Sequence, residues 1–136
     1  MGDAQAIDMM IAVLNDPFGH GHTGLTAEIV AARLGASREA QDAFAVESHR
    51  RASAAIEAGY FDKQIVPVLV KSRKETFAFK TDEHVSSDVS IEGMSSLKPA
   101  FKKDGTVTAG NASGIIDGAA SLVLMNADEA ELRGLT

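Results

Sequence analysis

The chain has 136 residues, 45% of them hydrophobic, with a formal net charge of −6. It is too apolar to be disordered. The acidic balance argues against general nucleic-acid binding, which rests on Lys and Arg neutralising phosphates, and the complete lack of cysteine excludes a disulfide scaffold, a thiolate zinc site and a cysteine nucleophile on this chain.

No apolar run approaches the ~20 residues that span a bilayer. Asp3 and Asp8 interrupt the apolar N-terminal segment, so no signal peptide is read there and a cytoplasmic protein is expected. Ile7, Met10, Ile11 and Leu14 fall at i, i+3, i+4 and i+7 and predict a short helix, ended by Asn15-Asp16-Pro17. A Gly- and His-rich loop covers 18–24. Thr26 reads as the N-cap of a helix to Leu34, with Gly35 as its stop. Ser37, with Glu39 in the first turn, opens a helix to about Ala58, ended by Gly59. Its face of Phe44, Ser48, Ala52 and Ala55 is small enough for a backbone to pack closely. Glu28, Glu39, Asp42, Glu47, Glu129 and Glu131 read as solvated helix faces.

The period then changes. Ile65–Val70 predicts a strand, placed at an edge or bulge by Pro67. Thr76–Lys80 predicts a second, and the charged run Lys71–Glu75 joins them as a hairpin. Thr81–Gly105 reads as long and irregular, anchored by Leu97, Pro99 and Phe101, and long loops in compact domains are usually functional. Ala119–Asn126 predicts a buried strand. A helix beginning at Asp128 follows, closed by Gly134. The fold class is α+β.

The run TAGNASGIIDGAA, Thr108–Ala120, carries almost no bulk, and Gly110, Gly114 and Gly118 recur every four residues. It is either a loose loop or a backbone surface that admits a slender polar chain, with the Ser113 hydroxyl fixing its orientation. Gly110–Gly114 misses the nucleophile elbow of serine hydrolases by one residue. No dinucleotide or P-loop fingerprint exists. His20 and His22 form H-x-H, which could join Asp82, Glu83 or His84 around a metal, or simply be hydrogen-bonded loop histidines. Asp117 reads as a turn or cap residue.

The stretch Lys98–Gly114, KPAFKKDGTVTAGNASG, resembles a signature of thiolases, acetyl-CoA C-acetyltransferases in particular. Met1-Gly2-Asp3, Ser37–Ala45 and Thr81-Asp82-Glu83-His84 are similar to the same family, in order, over essentially the whole chain. The resemblance implies a fragment of a thiolase-like fold. Residues 1–115 would be the loop domain that binds coenzyme A, helical with a short β-hairpin. Residues 116–136 would start the strand and helix of the N-terminal-half core. It implies acyl transfer between acyl-CoA and CoA thioesters, with CoA as substrate and no permanently bound cofactor or metal. The family's two cysteines, histidine and asparagine lie outside this chain, so no catalytic residue is expected here and the chain alone is expected to be inactive. Ser113 matches the serine that hydrogen-bonds the pantetheine arm, Ala109 lines the same channel and His22 lies beside the arm. Leu14, Met94, Ala100 and Phe101 match its apolar walls, and Thr23 faces the acyl group. Implied partners are acyl-CoA, the remaining thiolase segments and further copies in a dimer or tetramer, with the hairpin in subunit contacts and neither nucleic acid nor membrane. The chain departs from the family at Thr23 for methionine, at Val85-Ser86 for Pro-Arg, and at Ile116 for asparagine. These departures imply a different acyl substrate, and either a lower nucleotide affinity or a cation supplied by Lys98, Lys102 or Lys103. The alternative is a non-catalytic CoA-binding or oligomerisation module.

Overall fold

The computed structural model describes residues 3, 6–116 and 118–135. In chain order it has α1 Met9–Val13, β1 Asn15–Asp16, β2 Gly21–His22, α2 Thr23–Leu34, α3 Arg38–Glu57, β3 Val68–Lys71, β4 Thr76–Phe79, α4 Ile91–Ser95 and α5 Ala127–Leu132. The strands form two separate antiparallel pairs, β1 with β2 and β3 with β4.

Local signals set most boundaries. The Asp8 carboxylate accepts the Met10 N–H at 2.9 Å and caps α1. Ser37 accepts from Ala40 N at 3.2 Å and opens α3, which ends at Ala58 as expected. Gly35 closes α2 in the left-handed conformation, at φ 68°. β3 starts directly after Pro67, which has no N–H to give a ladder.

Five expectations are corrected. The N-cap of α2 is His22, not Thr26: its Nδ1 accepts the Gly24 N–H at 3.0 Å, and an imidazole acceptor serves as well as a hydroxyl. The segment 81–105 is not wholly irregular, because Ser90 caps α4 by accepting from Gly93 N. Ala119–Asn126 belongs to no strand, since no described segment pairs with it in a ladder, and its Leu122, Val123 and Leu124 are exposed. α5 begins at Ala127 under an Asn126 cap. The reading of Asp117 falls outside the described residues.

The fifth correction is the most consequential. Glu28 and Asp42 are buried, not solvated. Ala31, Met94 and Val107 are the buried apolar residues around them, beside a fully enclosed Thr108. Glu28, from α2, accepts Thr106 N at 2.9 Å, Val107 N at 2.8 Å and the Thr106 hydroxyl at 3.1 Å. Asp42, from α3, accepts Arg38 Nε at 2.7 Å on one oxygen and Asn111 Nδ2 at 2.8 Å on the other. The Arg38 guanidinium goes on to the carbonyls of Met94 and Leu97, at 2.7 and 3.0 Å, and so ties in α4. Asn111 closes its own loop, donating to Thr106 O at 2.9 Å and accepting Thr108 N at 2.7 Å. Burial is tolerated because each carboxylate oxygen has a donor.

The accessible surface totals 11853 Å². A folded monomer of this mass is expected to expose about 6,800 Å². Much of the excess is apolar: both faces of the β3–β4 pair, Ile115, Ile116 and the run 122–124 are open to solvent.

Burial pushes the Glu28 carboxyl up, but the Thr106 and Val107 N–H groups and the Thr106 hydroxyl outweigh it and hold it below its ordinary 4.5. A lowered folded-state pKa means that the carboxylate stabilises the fold above the unfolded value and loses that contribution as pH falls through the folded one. Glu28→Gln removes the charge and turns an amide NH2 donor toward the Thr106 N–H and hydroxyl. It should cost about 1–3 kcal/mol at pH 7 in urea unfolding. Below about pH 4.5 the gap between the two proteins should shrink; a gap constant from pH 7 to 3 contradicts the assignment.

Candidate functional site

The Gly110–Gly114 loop is a ridge between three cavities. The largest, about 760 Å³, is walled by Met10, Leu14, Phe101 and Ile115 and carries the polar groups of His22, Thr23 and Ser113. A second, about 370 Å³, has His49, His84, Asp88, Met94 and Ala109 in its wall. A third, about 250 Å³, lies between Phe44 and Ser48 of α3 and the loop at Ala112 and Ser113. The Phe44 face therefore borders a cavity instead of carrying a packed backbone, and Phe44 itself is exposed.

The geometry of the first cavity follows from the cap on α2. With Nδ1 committed to Gly24 N, the His22 ring lies flat against Phe101, centroids 4.7 Å apart and planes at 27°. A side chain at Gly24 would overlap the Phe101 ring, so the stack requires glycine there. The other polar groups in this wall are already engaged. Gln41 donates to Ala36 O and to the Thr106 hydroxyl, and Asn111 is held by Asp42 and its own loop. Ser113 is exposed, which leaves its hydroxyl open to a ligand. An apolar trough with two accessible hydroxyls, those of Thr23 and Ser113, suits a slender chain with few polar atoms.

Leu14, His22, Thr23, Phe101 and Ser113 thus meet in one cavity, and Met94 and Ala109 line its neighbour. Ala100 lines none of the three; it is exposed and gives its N–H to Val107 O at 2.9 Å. Gly110 and Gly114 leave room for other side chains of this chain, while Gly118 faces open space. Side chains of Met94 and Leu97 fill the space over Gly110, and the His84 ring fills that over Gly114. His20 is bonded to Asp16, and His84 faces His49. Among the described residues no three His, Cys, Asp or Glu side chains gather as a metal site. Sequence reasoning missed His49, Asn111 and the two carboxylates, and offered His84 only as a metal ligand or as part of the family stretch. Only Asn111, inside the conspicuous low-bulk run, carried a signal.

Residues 1–128 match the family model for the N-terminal domain of thiolase. The chain belongs to the thiolase family. It is 58% identical over 136 residues to the beta-ketothiolase BktB of Cupriavidus necator, covering 99% of this chain and 34% of that protein. It is 50% identical over 137 residues to the acetyl-CoA acetyltransferase of Escherichia coli K12, covering 35% of it. Among solved structures it superposes on the Bacillus anthracis acetyl-CoA acetyltransferase with a TM-score of 0.83 at 46% identity, over 100% of this chain and 34% of that one. For human mitochondrial 3-ketoacyl-CoA thiolase in complex with CoA the TM-score is 0.82 at 37% identity, covering 99% of this chain and 33% of the other. The chain spans about a third of the length of the relatives it matches.

Gly24→Ala should push Phe101 off His22 and destabilise the fold by about 1–3 kcal/mol, the usual cost of overpacking. The His22 ring-proton NMR shifts would report the lost stack, and unchanged shifts would contradict it.

Proposed function

We propose that this chain is the coenzyme A-binding part of a thiolase of the acetyl-CoA acetyltransferase kind. Residues 1–115 form its loop domain and residues 116–136 begin the core strand and helix. The observation that carries the reading is the trough in which Leu14, His22, Phe101 and Ser113 converge, the residues matched to the pantetheine arm. The arm lies against the Phe101–His22 stack and takes a hydrogen bond from Ser113. It then crosses the ridge at Ala112 and continues along Met94 and Ala109, toward the nucleotide end. Thr23 sits in the same trough as Ser113 and is assigned to the acyl group. The site is built for a substrate thioester, with no resident cofactor.

In this role the chain binds and orients; it does not react. Acyl transfer through an enzyme thioester needs a thiolate nucleophile, and these 136 residues hold no cysteine. The nucleophile and the base come from the remaining thiolase segments. The 118–126 run is the strand that pairs with them. One observation favours a further role in assembly: Val68, Leu69, Phe77 and Phe79 of the β3–β4 pair are exposed together, as a subunit contact would need. No described helix is long and apolar enough to cross a membrane, and the proposed location is the cytoplasm.

The chain should release no thiol from acetoacetyl-CoA plus CoA above a buffer blank. It should bind CoA weakly, with a dissociation constant of about 1 mM, since a site with walls missing buries less of its ligand. By ligand-observed NMR, Ser113→Ala should weaken binding by about 0.5–1.5 kcal/mol. Ser113→Leu should weaken it further by blocking the trough. Ser95→Ala, whose hydroxyl serves only Glu92 O within α4, should leave it unchanged. If Ser113→Leu binds CoA as well as the parent chain, the trough is not the CoA site.

A further inference from the structure

We infer that Asp88 is a specificity-determining residue: it sets a negative charge at the cavity toward which the phosphate-bearing end of coenzyme A runs, so the chain draws its affinity from the pantetheine arm and favours thioesters whose far end carries little negative charge. The inference rests on the reading of the trough as a pantetheine site and deepens it, since it concerns the neighbouring cavity across the Gly110–Gly114 ridge.

Asp88 lines that second cavity beside Ser86, His49 and His84. The Ser86 hydroxyl donates to its carboxylate and fixes it in the wall. That bond, with a backbone N–H, holds the carboxyl below its ordinary 3.8, so the charge is complete at neutral pH. Asp88 is exposed, which makes it a charge on the rim: it acts at contact range and is screened by salt.

The rest of the wall offers a phosphate no counter-charge. Among the described residues no Lys or Arg lines the cavity. The segment from Thr81 to Leu97, which supplies one side of it, holds Asp82, Glu83, Asp88 and Glu92 and neither Lys nor Arg. The Arg38 guanidinium reaches the Met94 and Leu97 carbonyls, but it is committed to them and to Asp42. Arg50 and Arg51, beside His49 on α3, are both held by Glu47. Lys98, Lys102 and Lys103 line none of the three cavities, and Lys102 acts on Glu28. A diphosphate or a ribose phosphate arriving here therefore meets a carboxylate first. One unit charge against another at contact range in water changes affinity by about two- to fivefold before salt screens it. Pantetheine carries no phosphate and meets no such repulsion.

Binding of CoA and of pantetheine is compared by ligand-observed NMR at pH 8, where imidazoles as a class carry no charge. The parent chain should bind CoA more tightly at about 0.5 M NaCl than at about 0.01 M, because screening relieves repulsion, and should bind pantetheine equally at both. Asp88→Asn keeps an acceptor for the Ser86 hydroxyl and removes the charge. It should tighten CoA binding about two- to fivefold at the lower salt, with the gain closing at the higher, and leave pantetheine unchanged. Glu131→Gln, the same change of net charge on α5 and outside every cavity, should reproduce neither effect. CoA affinity that falls with salt in the parent chain overturns the inference, since a cation would then be holding the phosphates. So does an Asp88→Asn chain that binds CoA no better than the parent, or no better than Glu131→Gln. Absence of pantetheine binding to the parent chain at either salt overturns instead the assignment of the trough on which the inference rests.

Discussion

Glu28 and Asp42 reach from two different helices into one loop, and the surface offered to a ligand hangs from their oxygens. A carboxylate taken out of water is costly unless donors replace the lost solvent. Here the donors are backbone N–H groups of Thr106 and Val107, the Asn111 amide and the Arg38 guanidinium. Charge-assisted bonds of this kind are short and directional, and in a low-dielectric setting they hold the loop more tightly than contact among small side chains could. The loop itself supplies little packing: Val107 is its only buried apolar side chain. Polar satisfaction does here what a hydrophobic core does elsewhere.

Helix limits were legible because caps are local. Ser37 and Gly35 act within three or four residues of their own positions. The two strands on either side of the charged turn were legible for the same reason, but the first was read from Ile65 with Pro67 inside it, whereas it runs from Val68 to Lys71. Glu28 and Asp42 were not, because their partners lie 78 and 69 residues away along the chain, and an isolated helix pattern gives a carboxylate no reason to be inside. The low-bulk run drew attention correctly, but local spacing could not tell a gap kept for a ligand from a gap filled by Met94 and His84. Ser113, His22, Leu14, Thr23 and Phe101 came from resemblance, and the fold brings those five to one cavity. Ala100 does not join them: its backbone, not its methyl group, is what the structure uses.

The large exposed area and the unpaired 118–126 segment have one physical origin. Extended backbone gains its stability from a neighbour on each side, and apolar residues in such a segment gain theirs from sheets or helices above and below. Neither is present within these residues. The chain covers about a third of its relatives' length, and its accessible surface of 11853 Å² is well above that of a closed monomer of its mass. What remains self-sufficient is the part around α2, α3, α4 and residues 99–111, where the hydrogen-bonded carboxylates lie.

The β3–β4 ribbon shows a different consequence of exposure. A strand with one buried face resists slipping, because a shift of one residue turns its apolar side chains to water. This ribbon has no buried face, so slippage of Val68 from Phe79 would forfeit almost no burial. Its register depends on the turn. Ser72 supplies that control: its N–H donates to Glu75 O at 2.8 Å, and its hydroxyl accepts the N–H groups of Lys74 and Glu75 at 3.2 and 3.1 Å. One serine thereby decides which apolar side chains share each side of the ribbon, and so the pattern that a docking partner would meet.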